Sequence, residues 1–397
     1  MSVPSAVAWE HRLFRALAVA VVALAPVEGY LLWLHPGLAK LPAALLVVTW
    51  GVLRWRVRPT PQPQLIYVLL ASLAVIVIAS SATHLTSPFA TLYATRWLPF
   101  LVVTAILIDV ASALVGVRLL SVATVVGATA ASIGALCFVL VLRETRSALP
   151  ETDPNDLACA LVAALPLLLC LSPRRTIERI AVAVAFTSIA LAAIATQSRG
   201  GLIAVSAAFA WTMIRRAIPL RPALHAGAVL GIAAAVAAYV WRSDIATAVA
   251  AKKYIGQYNA DTRLLRWHGA LELVGRHPLL GVGPGGFRDQ YPVVSQMAEI
   301  DVPAQQFVAH NTYLEVAAEL GLVGLAALLA VLATAFLGAE YALRRGMDRG
   351  VAVGVQASVI SAAVAVFFLS GQYFFALWWA VTLGCALGIR ARRGRVV

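Results

Sequence analysis

The sequence breaks into apolar runs of roughly one membrane thickness, joined by short polar segments, and that spacing leaves few folds open. A hydrocarbon core of ~30 Å is crossed by about 20 apolar residues in a helix, with a working range of ~17–25. Runs of this kind cover residues 13–33, 41–55, 65–82, 97–115, 119–142, 157–172, 177–196, 200–214, 223–241, 313–337, 350–371 and 372–389. Charged residues make up 12% of the chain and hydrophobic residues 61%, whereas soluble domains carry about 25% charged residues. The chain therefore reads as an all-α, polytopic membrane protein with about twelve transmembrane helices. Residues 1–397 are expected to form a single integral membrane domain. The net charge of +13 does not point to nucleic acid, because the arginines lie between apolar runs rather than along one face.

Charge distribution orients the helices. With the N-terminus inside, the cytoplasmic segments hold Arg12, Arg15, Arg54, Arg56, Arg58, Arg118, Arg174, Arg175, Arg179, Arg215, Arg216, Arg221, Arg344, Arg345, Arg349, Arg390, Arg392, Arg393 and Arg395. The short outer loops hold only Lys40, Arg96, Arg143, Arg146 and Arg199. Short cytoplasmic loops are the ones enriched in Lys and Arg, so both termini are expected in the cytoplasm. The N-terminal stretch has the look of a signal peptide, but its small-residue site, Ala23-Leu24-Ala25, is followed by Pro26. An uncleaved first helix is the expectation. Cys137, Cys159, Cys170 and Cys385 fall inside apolar runs as small core residues, with no paired CxxC spacing. "PTPQPQ" at 59–64 reads as a tight cytoplasmic linker.

One extramembrane segment is long, residues 242–312, a large outer loop between the ninth and tenth runs. Its stretch "TRLLRWHGALELVGRH" places Leu264, Trp267, Leu271 and Val274 at helical spacing, and Pro278 with the following glycines ends it. Arg263 precedes Trp267 by four, so both share a face that lies on the membrane surface with the indole at the interface. Arg263, Arg266, Arg276 and Arg288, with Lys252 and Lys253, read on their own as ordinary exposed loop charges. "GVGPGG", 281–286, has GxGxxG spacing but no surrounding βαβ unit. A sharp turn that brings backbone close to a ligand or another helix fits it better.

Two further places invite chemistry. Arg199, in "TQSRGG", sits at a tight outer turn where a helix begins; it reads either as a phosphate or diphosphate site or as an arginine reaching lipid headgroups. "QQFVAHNTYLEVAAELGLVG", 305–324, turns from polar to apolar at His310 and Asn311, with Glu315 and Glu319 in the next turns. A histidine there serves as a proton acceptor near neutral pH or as an interfacial helix cap. Carboxylates inside a membrane helix are expensive and usually face a polar cavity. Asp109 and Glu28 invite the same thought, though no spacing ties them to His310. No HExxH, DxD or clustered ligand set stands in the outer segments, and no nucleotide-binding loop appears.

Taken together, "SRGGLIAVSAAF" (198–209), "TRLLRWHGALELVGRHPLLGVGPGGF" (262–287) and "HNTYLEVAAELGLVG" (310–324) resemble the O-antigen ligase and polymerase superfamily. The resemblance covers the C-terminal half; the first five or six helices match only in hydropathy. It implies a GT-C-like membrane glycosyltransferase of the bacterial inner membrane with its active site facing the periplasm. The implied donor is a glycan on undecaprenyl diphosphate, the implied acceptor in ligases the lipid A–core of lipopolysaccharide, and no cofactor or metal is implied. Carried over by motif, His310, Arg199 and Arg263 become catalytic. Arg266, Arg143, Arg146, Asn311 and Glu315 become candidates for substrate binding, with Glu315 orienting the imidazole. Polymerases of the superfamily share the chemistry, but the single large outer loop and compact length favour a ligase. A lipid-glycan transporter is the rival from another class; the short middle connection "SPRRTIER" lacks the long central loop that joins two six-helix halves.

The inferred topology predicts a labelling pattern in a chain whose native cysteines are replaced by alanine. Arg143→Cys reacts with an impermeant maleimide in intact cells, and Arg216→Cys reacts only after permeabilisation. The reverse pattern would overturn the orientation.

Overall fold

The computed structural model describes residues 5–54, 64–218, 232, 262–294 and 307–394. Among the described residues every regular element is a helix. Apart from residue 232, the expected span at 223–241 lies outside the described residues, as do Lys252 and Lys253, the stretches 242–261 and 295–306 of the outer loop, and most of the 59–64 linker.

The helices begin and bend where the sequence requires it. α1 (Ser5–Leu24) runs into a 3₁₀ turn at Ala25–Val27 that contains Pro26, and α2 (Glu28–Leu34) follows; a proline lacks the N–H that would continue the ladder. α3 (Pro36–Leu53) starts with proline at its first position and with the His35 ring accepting from Gly37 N at 3.0 Å. α4 (Leu65–Thr83) is regular, and α5 (Ala90–Val110) ends in a π turn, Ala111–Val115. Then come α6 (Val117–Val141), α7 (Pro154–Ala164) with a 3₁₀ extension to Cys170, α8 (Thr176–Ala195) and α9 (Arg199–Ile214). After these lie α10 at 262–276 and α11 (Phe287–Val294). The chain closes with α12 (Thr312–Arg344), α13 (Arg349–Ala365) and α14 (Phe375–Arg392).

Seven of the described helical stretches are long and apolar enough to cross a bilayer, and three shorter apolar helices pack among them. This is the architecture of a polytopic membrane protein. One contiguous apolar core runs from Phe14 on α1 to Ile389 on α14, so the first helix belongs to the same body as the last. Small residues let backbones approach: Gly384 lies on the Ala335 carbonyl and Gly388 on Gly338, which seats α14 against α12.

The two ends of the bundle differ in chemistry. At one end Arg54 pairs with Asp109, whose Oδ2 also accepts from Trp50 Nε1 at 2.9 Å. Beside it Arg215 meets Glu340 at 2.5 Å, Arg118 meets Asp348 at 2.5 Å, and Arg392 reaches Gln64 at 3.0 Å. These arginines are ones assigned to cytoplasmic segments from sequence. Asp109 is thereby explained as the partner of an arginine at the end of α3, a full helix length from His310 rather than part of a shared polar cavity.

At the opposite end α12 is broken. Gly321 adopts φ 71°, ψ −178°, a left-handed conformation that L side chains rarely reach. The break is filled by the 278–283 loop. Val282 N donates to Ala318 O at 2.9 Å, Gly283 N to Glu319 O at 3.0 Å, and Leu322 N to Pro278 O at 2.8 Å. Ser80 Oγ on α4 donates to Leu280 O at 2.7 Å and to Glu319 O at 3.1 Å. The carbonyls and N–H that the helix gives up are thus met by the loop, which is how non-helical backbone is tolerated inside a bundle of this kind. The "GVGPGG" stretch is a backbone wedge against α12.

The 350–371 and 372–389 runs do not abut as expected. α13 stops at Ala365, α14 starts at Phe375, and the polar "SGQ" at 370–372 forms part of a non-helical connection between them.

Gly321→Ala forces a Cβ into the Leu279 carbonyl and a disfavoured φ, so it is expected to destabilise by at least about 2–3 kcal/mol. Gly51→Ala on α3, where a Cβ meets nothing within 4 Å, is expected to be neutral or stabilising by about 0.5–1 kcal/mol. Thermal unfolding of the detergent-purified variants separates the two; equal transitions would contradict the wedge.

Candidate functional site

His310 stands one residue before the Asn311 cap of α12, at the end of the bundle where the wedge enters. Its φ of 50° is left-handed, an uncommon state for a residue with a side chain. Peptide groups on both sides of it are held. Arg266 NH1 donates to Val308 O at 3.1 Å, Trp267 Nε1 to Ala309 O at 3.0 Å, and Ala309 N to Glu315 Oε2 at 2.9 Å. His310 N donates to Ser370 Oγ at 3.1 Å, and Thr312 N to Val366 O at 2.9 Å. Strain of this type persists only where surroundings over-determine it, and it clusters at functional sites.

The electrostatics of the turn follow from its neighbours. Burial pushes the His310 pKa down to about 4; Arg266 and Arg263 push the same way, and Glu315 and Asp153 oppose them. At neutral pH the imidazole is uncharged and holds a lone pair ready for a proton. Arg263 has its own pKa lowered by burial; Asp153 works against that and Arg266 adds to it. Arg263, Arg266 and His310 therefore form one partly desolvated basic cluster with Asp153, the N-cap of α7, beside it.

The rest of the rim is assembled from four further segments. Arg146 Nε donates to Thr196 O at 2.8 Å, and its NH2 reaches Asn155 Oδ1 at 3.5 Å. Gln197 Nε2 donates to Thr145 O at 2.8 Å. These bonds tie the 143–153 loop to the turn before α9. Ser198 caps α9 by accepting from Gly201 N, and Arg199 projects as an exposed side chain from its first position with no hydrogen bond or ion pair to the described residues. Gly200 packs on Phe368, which stacks edge-on against Phe367 at 5.2 Å. Phe367 in turn meets Trp267 at 5.6 Å and Tyr313 at 6.4 Å. An aromatic wall thus links the Arg199 turn to the His310 turn.

The site residues expected from sequence divide accordingly. His310, Arg263 and Arg266 come together electrostatically; Arg146 braces the rim, and Arg199 stands at its edge. Arg143, at φ 57°, is exposed and makes no contact that draws it to the cluster. Asn311 and Glu315, candidates for substrate binding by the resemblance, are both buried and bonded to protein groups in the structure. Asn311 is 1% exposed and caps α12, its Oδ1 accepting from Tyr313 N at 3.0 Å and Leu314 N at 3.2 Å. Glu315 is fully buried, and its bonds run to Ala309 N, Ser370, Gln372 and Arg288 rather than to the imidazole.

Two further expectations change. Trp267 was placed at the lipid interface, yet its indole N–H is spent on Ala309 and its ring on Phe367; the exposed apolar face of α10 carries Leu264, Leu265 and Leu271 instead. Arg288, read as an exposed loop charge, is 5% exposed, pairs with Glu315 at 3.4 Å and Glu319 at 3.2 Å, and lies over the Tyr93 ring at 4.2 Å. Ser370 and Gln372 were missed altogether; the only signal was a polar triplet inside an apolar run. Among the described residues no group of three or more His, Cys, Asp or Glu converges as a metal-binding set.

Residues 182–329 match the family model described as O-antigen ligase. The match begins within α8, spans Arg199, Arg263 and His310, and ends within α12; it leaves Arg143 and Arg146 outside. The match over this stretch supports a place in the O-antigen ligase and polymerase superfamily. No curated protein matches the chain.

The depressed His310 pKa makes a stability prediction. Between the unfolded value of about 6.5 and the folded value of about 4, the unfolded chain holds a proton that the folded one does not, so stability present above pH 6.5 is lost as pH falls toward 4. Thermal unfolding of His310→Gln is therefore expected to lose less between pH 7 and pH 4.5 than the parent protein. Parallel losses would contradict a buried neutral imidazole.

Proposed function

We propose that this protein is an O-antigen ligase: it transfers a glycan from undecaprenyl diphosphate to the lipid A–core oligosaccharide at the periplasmic face of the bacterial inner membrane. The carrying observation is the gathering of one neutral imidazole with Arg263 and Arg266 at a fixed, strained turn. The family match over the same residues supports it. The excess of positive charge at the opposite end supports a cytoplasmic placement for that end and a periplasmic one for the site.

The chemistry follows from the groups present. An acceptor sugar hydroxyl attacks the anomeric carbon of the donor. The C1–O bond to phosphate breaks, its electron pair leaving on undecaprenyl diphosphate, and the hydroxyl proton passes to His310. Attack from the face opposite the leaving group inverts the anomeric centre. Arg199 and Arg263 stabilise the negative charge growing on the diphosphate, a task for which forked guanidinium donors suit phosphate oxygens. Arg266 and Arg146 hold the rim, and Arg143 at the loop tip meets the acceptor or a lipid headgroup.

A base with a pKa near 4 is weak while the site is empty. Burial is the main cause of the low value, and Arg266 and Arg263 add to it; a bound diphosphate beside the two arginines offsets their share and raises the basicity of the imidazole. Both substrates are lipids, which explains why the histidine sits where the α12 helix meets the outer aqueous layer.

Purified protein with undecaprenyl-diphosphate glycan and two acceptors, offered separately, tests the assignment. Product on lipid A–core alone is expected; elongation on the polyprenyl carrier would make the protein a polymerase instead. His310→Ala is expected to lower the rate about 10²–10⁴-fold, and Arg199→Ala or Arg263→Ala about 10²–10³-fold. Retained transfer in the His310→Ala, Arg199→Ala double variant would argue against any catalytic role for the site.

A further inference from the structure

Beneath the His310 turn lies a set of buried charges that the transfer scheme does not use. Glu315 and Glu319 are four apart, so they share one face of α12, and both are fully buried. Arg288 NH1 lies between them, at 3.4 Å from Glu315 Oε1 and 3.2 Å from Glu319 Oε1. The guanidinium also covers the Tyr93 ring of α5 at 4.2 Å. Burial works against the charge on Arg288, but the two carboxylates more than offset it and raise its pKa above the ordinary value.

The second oxygen of Glu315 is where this cluster meets the turn. Oε2 accepts from Ala309 N at 2.9 Å and from the Ser370 hydroxyl, and Ser370 Oγ accepts from His310 N at 3.1 Å. Gln372 Nε2 donates to Oε1 at 2.7 Å. Four donors therefore converge on one carboxylate: a guanidinium, a backbone N–H, a hydroxyl and an amide. Such a hub works only as an acceptor with a countercharge in place. Two carboxylates on one buried helical face repel each other unless a cation is shared between them. Arg288 is the only cation paired with either among the described residues.

We propose that Arg288 is a positioning residue: by bridging Glu315 and Glu319 it holds the Ala309–His310 turn, through Glu315 and Ser370, against Arg263 and Arg266. The charged groups that act on the imidazole are Arg263 and Arg266 on α10, Glu315 on α12 and Asp153 ahead of α7, and of these the bridge holds Glu315. The same arginine anchors the 281–286 wedge, because it lies at the start of α11 directly after it. Wedge, helix break and histidine turn are then one mechanical unit.

The role of the turn in transfer rests on the ligase reading, so the test reads the turn directly. Carbethoxylation by diethyl pyrocarbonate at pH 7, followed peptide by peptide in the mass spectrometer, reports how accessible each neutral imidazole is. His268 on α10 is exposed and serves as the internal reference. Arg288→Lys keeps the charge but loses the planar bridge, and Ser370→Ala removes the link between Glu315 and the His310 N–H. In both variants the ratio of His310 to His268 reactivity is expected to rise about fivefold or more as the turn opens locally. The reactivity of His268 itself is expected to stay unchanged.

An unchanged ratio in both variants overturns the proposal. A rise with Ser370→Ala but none with Arg288→Lys also overturns it, because the turn is then held without the bridge. Should the ratio rise in both while the parent protein transfers no glycan to either acceptor, the positioning role stands and the ligase reading falls.

Discussion

The break in α12 at Gly321 organises the functional end of the molecule. A helix interrupted inside a membrane bundle leaves carbonyl and N–H groups that lipid cannot satisfy. Here those groups are taken up by the backbone of residues 278–283, with Ser80 closing the remaining gap. The consequence is that a loop from the extramembrane segment is locked into the bundle rather than resting on it. Everything that follows from that loop inherits a fixed position: α11 begins immediately after the wedge, and Arg288 comes with it. The buried arginine then reaches the two glutamates on α12 whose own bonds hold the histidine turn. Backbone satisfaction, buried charge pairing and the placement of one imidazole are thus linked through about forty residues of chain, from Pro278 to Glu319.

The second constraint is electrostatic. At the far end of the bundle Arg54, Arg215 and Arg118 pair with Asp109, Glu340 and Asp348. At the His310 end, Arg263 and Arg266 press on a neutral imidazole, and Arg199 projects without a partner among the described residues. Guanidiniums gathered beside an uncharged imidazole suit an anionic group, the feature on which the proposed diphosphate donor rests. Guanidiniums are well suited to such a position because they remain protonated even when partly desolvated.

Much of the fold was legible in sequence because one rule dominates it. Bilayer thickness dictates run length, and the helices observed over 65–82, 119–142, 177–196 and 200–214 lie within a few residues of the runs. The rule says nothing about what happens inside a run. Gly321 sits in "ELGLVG", indistinguishable in composition from an ordinary small-residue packing site, and only the approach of Leu279 reveals why a left-handed residue is needed there. In the same way "SGQ" at 370–372 reads as a few polar residues in an apolar stretch, while the structure makes Ser370 and Gln372 partners of Glu315. Of the candidate site, His310, Arg263 and Arg266 were legible from motif and spacing. Arg288 was not, since a loop arginine looks exposed until its buried partners, distant in the fold, are known.

An experimental structure of the protein with undecaprenyl-diphosphate glycan bound tests the central claim most directly. The account predicts the diphosphate in contact with the guanidiniums of Arg199 and Arg263, and the anomeric carbon on the side of the turn that carries the His310 imidazole. A diphosphate seated at the Arg54, Arg118 and Arg215 end, or held by a divalent ion away from His310, would contradict it.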